Sequence, residues 1–208
     1  VSLPRDFLPL WVMNKSLYRN QAKSFLHKRG ITDVDIKKYK IGFCDSGLYE
    51  GRIIIPSYDD KGLLNYFVGR SFVGEKMKYK NPNVSRDIIP FDWYVAWSKP
   101  IVLCEGVFDA MSIRSNAIPM LSKKPSKSLL QKIFEENVKS IYIALDDDAK
   151  KDAYNMSEFF RDFGIDCKVV KLPTDQDPND LGWKKITTLI QSTESASFSD
   201  SIQAKLYG

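Results

Sequence analysis

Two short apolar runs, Ile101-Val102-Leu103-Cys104 and Ile141-Tyr142-Ile143-Ala144-Leu145, contain no charged residue, and each stops at a carboxylate. Runs of this length and β-branched character predict strands buried on both faces, as in a parallel sheet. Around them the pattern changes to helical spacing. Phe108–Ser115 predicts a helix and Ile118–Leu121 a short strand. Ser126 is placed to cap a helix carrying Leu129, Leu130, Ile133 and Phe134. A helix from about Asp152 sets Met156, Phe159, Phe160 and Phe163 on one face, which reads as core, and Gly164 stops it. Cys167–Val170 predicts a further strand. Alternation of this kind is the rhythm of an α/β domain, a parallel sheet with helices on both faces. From Trp183 a short amphipathic helix is expected, and then a Ser-rich stretch, Ser192–Ser201, of linker character.

The first hundred residues follow a different pattern. Residues 1–20 show no clear period and receive no element. A helix is expected from about Asn20 to Arg29, with Ala22, Phe25 and Leu26 on one face and Gly30 as its stop. Thr32 or Asp33 then caps a second helix through Tyr39, offering Val34, Ile36 and Tyr39 for packing. Arg52–Tyr58 and Leu63–Phe72 read as two strands joined by the turn Asp59-Asp60-Lys61-Gly62. Pro56 places the first of these at an edge or a bulge. The expected organisation is a mixed α+β subdomain over 1–99, the α/β domain over 100–182, and a short helix and tail over 183–208.

Composition changes this picture little. The chain has 208 residues, 43% apolar and 27% charged, and a net charge of +5, which permits a nucleic-acid partner without requiring one. No apolar run approaches the roughly 20 residues of a membrane span, and no signal peptide opens the chain, so a cytoplasmic protein without a membrane partner is expected. Cys44, Cys104 and Cys167 form no CxxC pair and His27 is the single histidine. That excludes a zinc finger within this stretch and points to a reducing compartment. His27 itself reads as a surface or packing residue.

The carboxylates matter more. Asp146, Asp147 and Asp148 follow the second apolar run, and the carboxyl end of a strand is where open α/β sheets place ligands. Asp146 and Asp148 point the same way as long as the chain stays extended. The first run ends in Glu105-Gly106, with Asp109 in the first turn of the helix beyond a tight turn at Gly106. If the two strands are neighbours, Glu105, Asp109, Asp146 and Asp148 converge on one sheet edge. Carboxylates so placed repel one another unless a proton or cation lies between them, and an all-oxygen donor set favours Mg²⁺ or Mn²⁺. Asp175, Asp177 and Asp180 follow the last strand in the same way. Elsewhere, Gly74–Pro82 is basic and aromatic, and with Arg70 it offers cations for phosphates and a ring for stacking.

Glu105-Gly106 after one strand and Asp146-x-Asp148 after a later one resemble the Toprim fold. Further segments are similar to the RNA polymerase domain of bacterial and phage DNA primases: Phe25-Leu26-x-x-Arg29-Gly30-Ile31, Ile41-Gly42, Arg52-Ile-Ile-Ile-Pro56, Val68-Gly69-Arg70, Lys78-Tyr79-x-Asn81 and Asp177-Pro178-Asn179. The likeness spans roughly residues 20–182. It implies a catalytic core that makes short RNA primers on single-stranded DNA from ribonucleoside triphosphates, working beside a replicative helicase. It also implies metal ligation by Asp109, Asp146 and Asp148, with Asp177 as a weaker candidate. Glu105 is open to two roles, metal ligand or general base. Lys78 and Asn81 would bind triphosphate, Arg70 would steer the template backbone, and Tyr79 would stack on a base or pack. Asp147 stands where the family often has Gly and should face away from the metals, while Asn179 replaces an Asp and removes one charged ligand. The family's zinc-binding domain and a helicase domain of normal size are not in this stretch. The rival readings are a Toprim nuclease or topoisomerase fragment and a catalytically idle nucleic-acid-binding Toprim module.

Overall fold

The structure, a computed structural model, describes residues 1–194. Among them the chain forms two compact units, Val1–Ser85 and a second beginning at Arg86. The division falls before the expected 99/100 boundary because residues 87–89 are tied to the second unit. Asp87 Oδ1 accepts from the Ser128 amide at 2.8 Å, and Ser126 Oγ donates to the Ile88 carbonyl at 2.8 Å.

The first unit is an antiparallel sheet in the order β1-β2-β3-β4 with two helices. Its elements are β1 (Phe7–Pro9), α1 (Tyr18–Lys28), α2 (Asp33–Lys38), β2 (Gly42–Cys44), β3 (Arg52–Tyr58) and β4 (Leu64–Ser71). The strand β1 lies in the segment that periodicity left unassigned. Three residues are too few to show a period of two. Gly30, at φ 73°, ends α1 as expected, its amide bonding to His27 O while the Ile31 amide returns to Leu26 O. Thr32 caps α2, its hydroxyl accepting from the Asp35 amide while the Asp35 carboxylate accepts from the Thr32 amide. Ile36 and Tyr39 are buried, but Val34 is 76% exposed, since the buried side of this short helix is supplied by residues 35, 36 and 39. His27 is a surface residue, 2.9 Å from Asp33.

The β3–β4 hairpin turns where expected, with Asp59 Oδ1 accepting from the Lys61 and Leu63 amides. Pro56 is not on an edge strand, because β3 lies between β2 and β4. β2 stops at the Gly42–Ile54 pair, so Pro56 sits beyond its end, just before a register shift at Ser57/Tyr58. Locally, no ladder partner needs the missing N–H.

The second unit holds a four-stranded parallel sheet in the order β6-β5-β7-β8, made of β5 (Ile101–Cys104), β6 (Ala117–Pro119), β7 (Ser140–Ala144) and β8 (Asp166–Val169). The helices are α3 (Val107–Ile113), α4 (Lys127–Glu135), α5 (Lys150–Asp162) and α6 (Pro178–Ser192). Ile101, Leu103, Ile141 and Ile143 pack with Leu129 and Ile133 of α4 and with Ala153, Met156 and Phe160 of α5. Val102, Cys104 and Ala144 alternate to the opposite face and are equally buried, and α3 packs on α6. The aromatic stripe of α5 is core only in part. Met156 and Phe160 are buried, whereas Phe159 and Phe163 are largely exposed and cluster with Phe134 of α4, ring centroids 5.0–6.3 Å apart. Helical spacing gathered them on one side, but that side is wider than the sheet beneath it. The helix expected from Trp183 does begin there, after a non-helical Gly182 at φ 70°, and a short helical segment from Pro178 precedes it within α6. Ser192 closes α6, and residues 195–201 of the Ser-rich stretch lie outside the described residues. Cys44, Cys104 and Cys167 are buried free thiols.

Candidate active site

The parallel register pairs Ile101 with Ile141 and Cys104 with Ala144, so the two strands end level. Glu105 leaves β5 beside Leu145 and Asp146 leaving β7. The Leu121 amide, in the loop after β6, donates to the Glu105 carbonyl at 2.9 Å and fixes that backbone. Gly106 is the N-cap of α3, with extended φ and ψ of −112° and 161°. Its role is close approach, since a Cβ there would lie 2.9 Å from Asp109 Oδ2, which accepts the Gly106 amide at 2.9 Å. The tight turn expected at Gly106 is therefore a tight contact.

Asp109, only 7% exposed, has its carboxyl pushed up to about 7 by burial first and by Asp177 and Asp146 next, against the amides of Gly106 and Asn179. Asp146 is pushed up to about 6, by burial and then by Glu105, Asp177 and Asp148, with Lys123 opposing. Glu105 is raised by burial, with Asp148 adding to the rise and Lys123 opposing it. Glu105, Asp109, Asp148 and Asp177 are thus each linked electrostatically to Asp146, which lies at the centre of the group. The geometry behind this differs from the extended-chain expectation. After Asp146 the chain enters a single 3₁₀ turn, Asp147–Ala149. Asp147 turns aside to pair with Lys150, and Asp148 Oδ2 is 2.8 Å from Lys123 Nζ. Asp177 caps α6, its Oδ1 accepting from the Asp180 amide at 2.6 Å, with Pro178 following it in the first turn. Asn179 is buried and donates through Nδ2 to Ser112 Oγ at 2.8 Å, so its side chain is engaged with α3.

Residues 102–182, which hold all of these groups, match a family model described as Toprim-like. Over those residues the chain is similar to the Toprim-like family. A DNA primase of Clostridium acetobutylicum is 25% identical over 179 residues, covering 77% of this chain and 30% of the relative. The chain thus spans under a third of that protein's length. An uncharacterised protein of Mycoplasma genitalium, MG010, is 27% identical over 193 residues, covering 82% of this chain and 86% of MG010. Among solved structures, a DnaG primase catalytic domain bound to single-stranded DNA superposes with a TM-score of 0.73 at 17% identity, over 87% of this chain and 76% of that one. The fold is that of a DNA primase catalytic core: a parallel Toprim-like sheet flanked by helices, with an antiparallel sheet before it.

With side chains as they stand, no three His, Cys, Asp or Glu residues among those described are gathered closely enough to hold a metal ion. The reasons are local. Asp109 Oδ2 is turned to the Gly106 amide, Asp148 Oδ2 to Lys123, and Asp177 Oδ1 to the Asp180 amide. The donor set of the Toprim-like domain nevertheless fits a hard divalent cation. All donors are oxygens, three carboxyls are held above their usual range, and Asp146 Oδ1 is buried without accepting a hydrogen bond.

The basic strip lies wholly in the first unit. There the chain after β4 doubles back along it. The Ser71 amide donates to Lys78 O at 2.9 Å, the Lys80 amide to Gly69 O at 2.8 Å, and Tyr79 forms a bridge pair with Arg70. The pairing brings the Arg70 guanidinium to 4.7 Å from the Tyr79 ring centre, a cation–π contact. Lys78 is exposed, and Asn81 Oδ1 accepts from the Gly69 amide at 3.3 Å. Three residues here and in the carboxylate cluster have roles that the sequence pattern did not assign to them. Arg52 is buried, donates to Met77 O at 3.0 Å and pairs with Glu75, anchoring the strip from beneath. Gly69 leaves room for it, since a Cβ would lie 2.3 Å from Lys80 O. Lys123 is the third, and a polar residue in a turn carries no periodic signal.

Proposed function

We propose that this chain is the catalytic core of a DNA primase, joining ribonucleoside triphosphates into short RNA primers on a single-stranded DNA template. One observation carries the reading: Glu105, Asp109, Asp146, Asp148 and Asp177 act on one another electrostatically at the carboxyl ends of parallel strands, in a chain with the primase-core fold. Asp109, Asp146 and Asp148 would hold Mg²⁺ or Mn²⁺, with Asp177 as a weaker ligand. A divalent ion so bound supplies charge neutralisation for the phosphates and acidifies the attacking hydroxyl. Phosphoryl transfer asks mainly for positioning and electrostatics, which suits a site built of fixed carboxylates. The Asp109 and Asp146 carboxyls are raised by burial first and by neighbouring carboxylates next, and a cation would relieve that second contribution. Glu105, half-buried and itself raised, would ligate the metal or take the proton of the primer hydroxyl. In the first unit, Lys78 and Asn81 would bind the triphosphate, Arg70 the template backbone, and Tyr79 would stack on a base while buttressing Arg70. Single-stranded DNA as partner is supported by the neighbour solved with it, and a replicative helicase at a cytoplasmic replication fork belongs to the same reading.

The test combines single-stranded template, labelled ribonucleotides and Mn²⁺ or Mg²⁺, with a second lane following the template. Primer products support the proposal. Cut template would replace it with a Toprim nuclease, and binding without either product would replace it with an idle nucleic-acid-binding module.

A further inference from the structure

We propose that Lys123 is a triphosphate-binding residue of the Toprim-like domain, tethered by Asp148 until that carboxylate is given over to a divalent cation. The inference rests on the metal-dependent nucleotidyl-transfer reading above and adds to it a residue and a coupling.

The loop carrying Lys123 is fixed beside the carboxylates. The Met120 amide donates to Cys104 O at 2.8 Å and the Leu121 amide to Glu105 O at 2.9 Å, so the loop is stitched to the strand end that presents Glu105. Leu121 adopts φ 58°, which turns the chain sharply. Ser122 Oγ then accepts the Lys124 amide at 3.3 Å and donates to Lys124 O at 2.5 Å, closing a tight turn around Lys123. From this turn Lys123 Nζ reaches Asp148 Oδ2 at 2.8 Å and the Asp148 carbonyl at 3.5 Å, and it acts electrostatically on Glu105 and Asp146. The ammonium is therefore held in the carboxylate cluster by its loop and by its bond to the Asp148 carboxylate, with the longer contact to the Asp148 carbonyl beside it.

That bond is easily exchanged. Asp148 is 73% exposed and the Lys123 side chain 40%, and exposed ion pairs contribute little. A divalent cation attracts a carboxylate more strongly than an ammonium does and claims the same Asp148 oxygen. Lys123 keeps its anchored backbone, so its head group, once displaced, stays within a side chain's length of the cluster. The anions that arrive there with the metal are nucleotide phosphates. The lysine would thus serve in turn as counter-ion to Asp148 and as ligand to the triphosphate.

The test uses the whole chain and two binding measurements: Mn²⁺ alone, followed by the electron paramagnetic resonance of free Mn²⁺, and GTP methylene-bridged between its α- and β-phosphates, followed by equilibrium dialysis in saturating Mn²⁺. Lys123→Ala should bind Mn²⁺ roughly 2- to 5-fold more tightly, because an exposed competing pair is gone. It should bind the nucleotide analogue roughly 10-fold more weakly, the loss expected for one charge-assisted hydrogen bond. Lys123→Arg should retain nucleotide binding, and Lys124→Ala, whose Ser122 contacts are made through its backbone, should match wild type in both. Unchanged nucleotide affinity in Lys123→Ala overturns the phosphate role, and unchanged or weakened Mn²⁺ affinity overturns the competition. A wild-type protein that binds neither probe overturns the nucleotidyl-transfer reading beneath it, which separates that failure from this one.

Discussion

Replacing Asp109 with Asn should stabilise the metal-free protein at pH 8 and do so to a smaller extent at pH 5. Asp109 is held at about 7 in the fold against an ordinary 3.8 in the unfolded chain. Its folded value is raised, so between about pH 4 and 7 the folded state binds the extra proton. Stability is therefore lost as pH rises through that window and is level above it. A shift of about 3 units corresponds to about 4 kcal/mol, an upper figure because any relaxation of the charged state lowers it, and about 2–4 kcal/mol is expected. Asn is near-isosteric, and its amide oxygen can still accept the Gly106 amide that Asp109 Oδ2 accepts. Urea denaturation in EDTA at pH 5 and pH 8 measures both proteins. Asp146 and Glu105 titrate in the same direction, so the informative quantity is the difference between mutant and wild type at each pH. Asp109→Asn should close much of the gap between the two pH values. If wild type is as stable at pH 8 as at pH 5, or if the mutant is the less stable at pH 8, the burial and repulsion drawn around this carboxylate are wrong.

Other outcomes follow from the same geometry. Gly69→Ala should lift the Lys78–Lys80 segment off β4, since its Cβ meets Lys80 O at 2.3 Å, costing about 1–3 kcal/mol in urea melts and weakening nucleotide binding. Lys78→Ala should raise the nucleotide KM, whereas Arg70→Ala should lower the salt slope of template binding by roughly one unit; identical effects on both quantities would show the roles to be wrongly divided. Asp148→Asn should blunt the rise in melting temperature caused by Mn²⁺, and Asp147→Asn, whose partner is Lys150, should leave it intact; the reverse pattern would move the ligand to Asp147.

The β5 and β7 strands were legible because burial on both faces writes itself as an unbroken apolar run, and the Glu and Asp ending each run were found with them. The helix caps at Thr32 and Ser126 and the Asp59 turn were legible because their chemistry is local. What the sequence concealed depends on contacts distant along the chain. Arg52 looks like the polar start of a strand, yet it is buried under a strip some 25 residues later. Lys123 lies in the loop after β6, and the parallel pairing of β6 with β5 and of β5 with β7 brings it to Asp148. Asp146 and Asp148 come near one another through a 3₁₀ turn, not by strand alternation, so the extended geometry read from the sequence does not hold there. Phe159 and Phe163 share helical spacing with Phe160, but spacing gives a direction around a helix and says nothing of how far the sheet below extends.

Template-directed joining of ribonucleotides at the carboxylate cluster is the reaction proposed for this chain. It is tested most directly by offering the chain single-stranded DNA of defined sequence, Mn²⁺ and one labelled ribonucleotide at a time, and resolving the products before and after alkali. Wild type should form short alkali-labile products only when the ribonucleotides complement the template, and Asp146→Asn should form none while keeping the fold. Products that ignore the template, template cleavage in their place, or full synthesis by Asp146→Asn would contradict the account.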